Sequence, residues 1–119
     1  MKIVKIDDKK AVEMSDPLFT GGKVHLQSLV GKDDTDQVGA AMVNFSAGAR
    51  CKLHTHDYPQ VLYVTRGKGV VATEKERHEV TPGTLIFIPA KEPHWHGATG
   101  KEAFSHLSVI RPGVMQIVE

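Results

Sequence analysis

Two histidines and a glutamine lie close together in the middle of the chain. His54 and His56 are separated by one threonine, and Gln60 follows after three further residues. Because residues i and i+2 of a β-strand point to the same face, both imidazoles can reach one point inside a folded sheet. Taken alone, such a pair is better explained by polar side chains on a partly exposed strand.

A second pair of histidines follows, and the wider context of the two pairs overturns that interpretation. The segment 89–93 leads into His94 and His96, which again have same-face spacing. Imidazole nitrogens and an amide oxygen are neutral ligands that suit a borderline divalent ion such as Mn, Fe, Co, Ni, Cu or Zn. Such a set leaves the double positive charge of the ion uncompensated. The sequence therefore predicts one divalent transition metal and a small-molecule substrate or ligand.

The spacing of glycines, prolines and histidines extends this pattern over two blocks. The blocks run Gly48-x5-His54-x-His56-x3-Gln60-x6-Gly67 and Pro82-Gly83-x5-Pro89-x4-His94. They resemble the paired motifs of the cupin family, and the match covers about residues 38–110. The resemblance implies an all-β fold, a double-stranded β-helix barrel related to the jelly roll. It also implies four metal ligands, which are His54, His56, Gln60 and His94.

Two departures from the usual family pattern stand out. The commoner first motif has glutamate where this chain has Gln60, so an enzyme that used that carboxylate as its base would find none here. The second motif usually has glycine near Lys91 and asparagine near Ala98.

The run from His94 to Ala98, with Phe104 to Leu107 after it, narrows the resemblance. It is similar to small bacterial cupins that include manganese-dependent hydroxynitrile lyases and cupins related to carboxymuconolactone decarboxylase proteins. Manganese is accordingly the metal that the resemblance implies. In such lyases the metal polarises the cyanohydrin and a nearby histidine moves the proton. His106 is the residue of this chain that fits that part.

Strand alternation supports His106 independently. Phe104, His106 and Ser108 share one face of a predicted strand, so a polar partner accompanies the imidazole. An imidazole near an uncompensated cation resists protonation and stays available as a base. The alternative is a buried histidine bonded to a backbone carbonyl. His106 and His96 are the candidate catalytic residues, and we expect His96 to line the pocket or support a ligand, with Trp95 packed outward.

Short apolar segments separated by turn residues predict a mostly β chain. The 11 glycines and 6 prolines fall at short intervals, which favours a sandwich or barrel. We predict one domain over residues 1–119, with an amino-terminal arm over 1–23 that begins with a strand at 2–6. The other predicted strands cover 24–30, 38–45, 50–56, 60–65, 70–73, 78–81, 84–88, 94–96, 103–110 and 116–118.

Two segments within these strands, at 61–64 and 85–88, are apolar without alternation. Both of their faces should therefore pack against surfaces from which water is excluded. A partner subunit would cover the outer face, so we predict a homodimer. The alternative is that the amino-terminal arm folds over the same surface.

Charge and cysteine content exclude several classes of function. Lys and Arg total 15 against 14 for Asp and Glu, and they are scattered, which argues against nucleic acid or an anionic membrane as partner. No stretch has the length needed to span a bilayer. Cys51 is the single cysteine, so no internal disulfide can form. The sequence predicts a cytoplasmic protein whose thiol is inert or merely oxidisable.

Three functions remain open from the sequence. The first is an enzyme resembling hydroxynitrile lyase, in which the metal acts as a Lewis acid and His106 transfers a proton. The second is a metal-dependent dioxygenase, because three histidines and a weak oxygen donor also accept O₂ when the ion is redox-active. The third is a non-catalytic cupin that binds a small ligand or a metal.

Overall fold

Short strands account for nearly all of the regular structure in the computed structural model, which describes residues 1–119. One 3-10 turn at Ile6–Asp8 is the single helical element, and no helix has the length and apolar character to cross a membrane. The strands are β1 (Val12–Glu13), β2 (Phe19–Thr20), β3 (Val24–Val30), β4 (Gly39–Phe45), β5 (Arg50–Cys51), β6 (His54–His56), β7 (Gln60–Arg66), β8 (Gly69–Thr73), β9 (Arg77–Val80), β10 (Leu85–Ile88), β11 (His94–Ala98), β12 (Phe104–Ile110) and β13 (Met115–Ile117).

The strands form two antiparallel sheets that enclose one interior. The first sheet has the order β1-β3-β4-β12-β7-β10. The second has the order β13-β6-β11-β5-β2, and β8 joins it by pairing with β11 and β9. Neighbours in each sheet are mostly distant in sequence, as the crossing connections of a jelly-roll barrel require. The all-β barrel predicted from the sequence is confirmed.

The inward positions change from hydrocarbon to polar along the barrel. On β12 they run from Phe104 through His106 to Ser108, all of them buried. On β11 they run from Ala98 back through His96 to His94. The apolar end forms the core, which consists of Val24, Val43, Phe45, Ala49, Val64, Val71, Val80, Ala98 and Phe104. Burial of the hydrocarbon end stabilises the fold. The polar side chains at the opposite end are available to bind a ligand.

Most strands lie where the sequence predicts them, but the amino-terminal arm has a different structure from the one predicted. The strand expected at 2–6 is wrong, since Ile6–Asp8 forms a 3-10 turn and the first strand is Val12–Glu13. The side-chain amide of Gln27 donates to the carbonyls of Ile6 (3.0 Å) and Lys9 (2.9 Å). This part of the arm is therefore held by a side chain rather than by a strand ladder.

Gly67, the last glycine of the first motif, lies against the chain that enters β12. Its φ of +71° is in the left-handed region, and an added Cβ would lie 1.9 Å from the carbonyl oxygen of Ala103. No side chain fits at that distance. The turn after β7 therefore needs glycine for both conformation and space.

Replacing Gly67 by alanine should lower the free energy of unfolding by about 2 kcal/mol or more, because the substitution adds backbone strain to a steric clash. Urea denaturation measures the change. Gly100→Ala is the matched control, since nothing lies within 4 Å of the Cβ that it adds. If both variants unfold at the same urea concentration, the close packing at Gly67 is contradicted.

Candidate metal centre

The register of β6 against β11 brings the two histidine motifs face to face. His54 and His94 are directly opposite one another across this antiparallel pair, and their ring centroids are 4.3 Å apart. Each residue is only 1% exposed. One pair in the ladder thus joins segments that are 40 positions apart in the sequence.

Three imidazoles share one small volume at this point. Ligand nitrogens of His54, His56 and His94 all lie within 4.8 Å of one another. The Nε2 atom of His56 is buried and has no hydrogen-bond partner. A buried nitrogen without a partner carries a desolvation cost that a cation at the centre of the three rings would offset.

Backbone carbonyls fix the tautomers of two of these rings. The Nδ1 atom of His54 donates to the carbonyl of Lys52 at 2.7 Å, and that of His94 donates to the carbonyl of Glu92 at 2.9 Å. In both motifs the acceptor is two residues before the histidine. Because a carbonyl can only accept, each neutral ring keeps a lone pair on Nε2, on the side available to a metal.

Gln60 completes the set from the opposite sheet. Its Nε2 donates to Ser108 Oγ at 2.9 Å, which turns Oε1 towards Nε2 of His94 at 3.3 Å. With the hydrogen of His94 on Nδ1, these two atoms are both acceptors. Two facing acceptors repel unless a cation lies beside both, so the residues fit a divalent metal held by three nitrogens and one amide oxygen.

Burial keeps these imidazoles neutral. It lowers the pKa of His54 and of His56 to about 4, and the neighbouring imidazole of His94 adds to the effect. Burial also lowers the pKa of His94. A neutral imidazole is the form that binds metal, so the three rings are ready as ligands near neutral pH.

His96 and His106 form a separate hydrogen-bonded pair behind the four predicted ligands. Nδ1 of His96 lies 3.0 Å from Nε2 of His106, and the two residues are 5% and 0% exposed. Nε2 of His106 therefore contacts a second imidazole, and a backbone hydrogen bond at Leu107 also acts on this ring. The second nitrogens of the pair, His96 Nε2 and His106 Nδ1, are buried without partners.

His96 is the member of the pair that lies beside the predicted ligands. Its ring centroid is 5.8 Å from that of His94 and 5.9 Å from that of His54. His106 packs against the rings of Phe45 and Phe104. Burial lowers the pKa of His106 to about 4, and burial together with the neighbouring imidazole of His106 lowers the pKa of His96 well below its usual value.

Cys51 adjoins this pair, and its role is not apparent from the sequence. The backbone N–H of His96 donates to Sγ, and the thiol donates to the carbonyl of the same residue, both at 3.2 Å. Burial raises the thiol pKa to about 12, so the sulfur stays protonated, as the inert thiol predicted from the sequence requires. The neighbouring Arg50 lies outside, 4.5 Å above the half-buried ring of Trp95.

Lys91 occupies the loop position where the family usually has glycine. Its φ of 71° is in the left-handed region that glycine favours. Its backbone N–H donates to the carbonyl of His56 at 2.8 Å, and its ammonium pairs with Asp57. These contacts hold the loop in the conformation that glycine would adopt freely and join it to the first motif.

Two cavities border the predicted ligands. One has a volume of about 120 Å³ and borders His94. The other has a volume of about 190 Å³ and borders His56, and its apolar wall consists of Leu18, Ile110, Val114 and Met115. A small molecule with a hydrocarbon part can therefore lie next to the predicted ligands.

Known proteins resemble this chain in both sequence and fold. Residues 41–110 match the family model described as "Cupin domain". A protein of Granulicella tundricola named "(R)-mandelonitrile lyase" is 34% identical over 110 residues, which cover 92% of this chain and 83% of the relative.

Two solved structures show the same similarity along the whole chain. A cupin-like protein from Thermotoga maritima has a TM-score of 0.82 and 28% identity, covering 99% of this chain and 89% of its own. The polyketide cyclase RemF from Streptomyces resistomycificus has a TM-score of 0.87 and 26% identity, covering 100% and 86% respectively. The resemblance found in the sequence is confirmed, and the chain belongs to the cupin family.

Proposed function

We propose that the protein is a metal-dependent lyase that cleaves and forms small cyanohydrins. The observation that supports this proposal is the cluster of ligand nitrogens of His54, His56 and His94 within 4.8 Å, with the oxygen of Gln60 3.3 Å from His94 Nε2. The ring hydrogens of His54 and His94 lie on backbone carbonyls. The mandelonitrile lyase at 34% identity supports the choice of reaction.

The charge of the ligands determines how much of the positive charge of a bound metal is neutralised. All four predicted ligands are neutral, so no carboxylate offsets the charge of a divalent cation. When bound, the cation supplies a Lewis acid that polarises a substrate oxygen. We propose manganese on the similarity to manganese-dependent lyases. The apolar wall beside His56, which includes Leu18 and Met115, holds the hydrocarbon part of the substrate.

The histidine pair moves the proton. In the tautomer in which His96 donates Nδ1–H to His106, the buried Nε2 of His96 is free to accept a proton from the cyanohydrin hydroxyl. The proton on Nδ1 then passes to His106, so the positive charge moves one ring further from the predicted ligands. As the carbon–carbon bond breaks, cyanide leaves and takes the proton back along the same route.

This assignment refines the role predicted for His106 from the sequence. His96 is the ring beside the predicted ligands, and His106 exchanges the proton through it. A neutral imidazole with a low pKa is a weak base in isolation, so its role as base would depend on the Lewis acid that His54, His56, Gln60 and His94 would hold.

Removing one predicted ligand should remove the metal. His94→Ala is expected to lower the metal content of tag-free protein at least about tenfold, since it deletes a ligand rather than a supporting group. Elemental analysis measures the content, and circular dichroism verifies the fold. His78→Ala, which changes an exposed histidine on β9, should keep the metal. Equal metal content in the two variants would contradict the assignment of the centre.

Loss of either histidine of the pair should slow turnover and leave the metal bound. His96→Ala is expected to lower kcat for mandelonitrile cleavage by roughly 10²–10⁴-fold, and His106→Ala by less, because His96 still accepts the proton. The appearance of benzaldehyde follows the reaction. Ser105→Ala is the matched control, since Ser105 is also buried on β12 but donates its hydroxyl hydrogen to Asn44.

Other outcomes of the same assay distinguish the remaining functions. Native, metal-loaded protein that leaves cyanohydrins intact but consumes oxygen with phenolic or diketone substrates would be a dioxygenase. Protein that does neither and still binds metal would be a binding cupin. Either result would refute the lyase proposal while leaving the metal centre in place.

The metal-free protein should lose stability as the pH falls from 7 to 5. An unfolded histidine titrates near 6.5, whereas burial holds the pKa of His54, His56 and His106 at about 4. Between these values the unfolded chain binds more protons, so stability is complete above the unfolded pKa. Each such histidine removes up to about 1.4 kcal/mol per pH unit. Urea denaturation at both pH values measures this, and equal stability would contradict neutral buried histidines.

A further inference from the structure

The thiol of Cys51 lies beside the same strand that carries the second histidine motif. Cys51 and His54 belong to consecutive short strands, β5 and β6, and both of these strands pair with β11. The backbone of His96, on β11, makes two hydrogen bonds with the Cys51 sulfur. The pairing of these strands therefore adds a sulfur to the imidazoles in the interior of the barrel.

Cys51, His54 and His96 form a second group of metal-binding atoms. The sulfur and one ring nitrogen from each histidine all lie within 4.8 Å of one another. The three residues are 0%, 1% and 5% exposed. A tetrahedral zinc ion, bound at about 2.3 Å from sulfur and about 2.0 Å from nitrogen, holds its ligand atoms roughly 3.5 Å apart. Side-chain movements of about 1 Å therefore suffice to close this group around one cation.

His96 has one ring nitrogen that is free for a ligand. Its Nδ1 is paired with Nε2 of His106, whereas its own Nε2 is buried and has no hydrogen-bond partner. Such a nitrogen carries a desolvation cost, which a bound cation would offset. A hydrogen bond from the other ring nitrogen is also what usually orients a metal-binding histidine. His106 supplies that contact here.

We propose that Cys51, His54 and His96 bind a thiophilic cation such as Zn²⁺ or Cd²⁺. We call these three residues the thiol site. Thiolate and imidazole are ligands that zinc favours, whereas manganese is better suited by oxygen ligands. As the metal–sulfur bond forms, the thiol proton leaves to solvent and its hydrogen bond to the carbonyl of His96 is lost. The backbone N–H of His96 continues to donate to the sulfur.

The charge of the thiol site favours a buried divalent cation. A thiolate at Cys51 neutralises one of the two positive charges. The four-ligand site, formed by His54, His56, Gln60 and His94, neutralises none. Net charge is costly to hold away from water. A cation that accepts sulfur as a ligand therefore gains from moving towards Cys51.

The two sites cannot both be filled, because they share His54. Nδ1 of this ring donates to the carbonyl of Lys52, so the ring offers a single lone pair, on Nε2. A thiophilic cation in the thiol site therefore displaces the cation of the four-ligand site. It also occupies the nitrogen of His96 that accepts the proton in the proposed function. Inhibition of turnover rests on that function, whereas the existence of the thiol site does not.

Ultraviolet absorption tests the thiol site directly. Cadmium bound to a thiolate shows a charge-transfer band that cadmium bound only to nitrogen and oxygen lacks. We expect metal-free native protein to develop this band on titration with Cd²⁺. Cys51→Ser should lack the band and bind cadmium at least about tenfold more weakly, because it deletes a ligand. A native protein without the band, or equal cadmium affinity in Cys51→Ser, would overturn the proposal.

Two further variants separate the thiol site from the four-ligand site. Gln60→Ala removes a ligand of the four-ligand site alone, so it should weaken Mn²⁺ binding and keep the cadmium band. His54→Ala removes the shared ligand and should weaken the binding of both ions. If Gln60→Ala loses the cadmium band as Cys51→Ser does, the separate set of ligands is refuted.

Electron paramagnetic resonance measures the competition between the two ions. Manganese that is free in solution gives a sharp signal, which broadens when the ion is bound. We expect cadmium to release manganese from the native protein, and Cys51→Ser to need at least about ten times more cadmium for the same release. Manganese that stays bound while the thiolate band forms would contradict the shared use of His54.

These measurements do not follow turnover, so the thiol site and the proposed function can fail separately. Serine at position 51 keeps a donor and an acceptor for the backbone of His96, and circular dichroism verifies its fold. If the variant nevertheless unfolds, the native spectrum still decides, since the absence of a thiolate band at saturating cadmium overturns the proposal.

Discussion

Two hydrogen bonds of the same kind, one in each histidine motif, determine the chemistry available in this barrel. His54 and His94 each donate Nδ1–H to the carbonyl of the residue two positions earlier. Each bond removes one ring hydrogen from the interior and leaves a lone pair facing the other motif. Without these bonds the same burial would give rings of undefined tautomer, and the acceptor on Gln60 could meet either a hydrogen or a lone pair.

The rest of the interior preserves that arrangement in two ways. The hydrocarbon end, with Phe45 and Phe104, excludes water and so keeps the imidazoles neutral. At the polar end Ser108 orients Gln60, and the backbone of His96 both donates to and accepts from Cys51. The exclusion of solvent therefore serves both stability and reactivity. It favours the buried hydrocarbon core and disfavours the protonated, charged forms of the histidines.

Local spacing was enough to predict the elements that carry the site. Same-face alternation placed His54, His56 and His94 inward, and the structure brings them together with Gln60. The pairing of His96 with His106 was beyond sequence reasoning, because it depends on how β11 and β12 face one another from different sheets. The strand predicted at 2–6 is wrong for a related reason, because these residues form no strand without a neighbouring strand edge to pair with.

Trp95 lies on the outside of the strand that turns His94 and His96 inward, and it is the protein's only tryptophan. Its ring stacks under Arg50, which pairs with Glu119, and Glu119 in turn accepts from the backbone N–H of Leu53 at 2.9 Å. The tryptophan fluorescence of this protein therefore originates from one indole, one residue away from a predicted ligand. Its emission is an optical signal for strand β11 that needs no label.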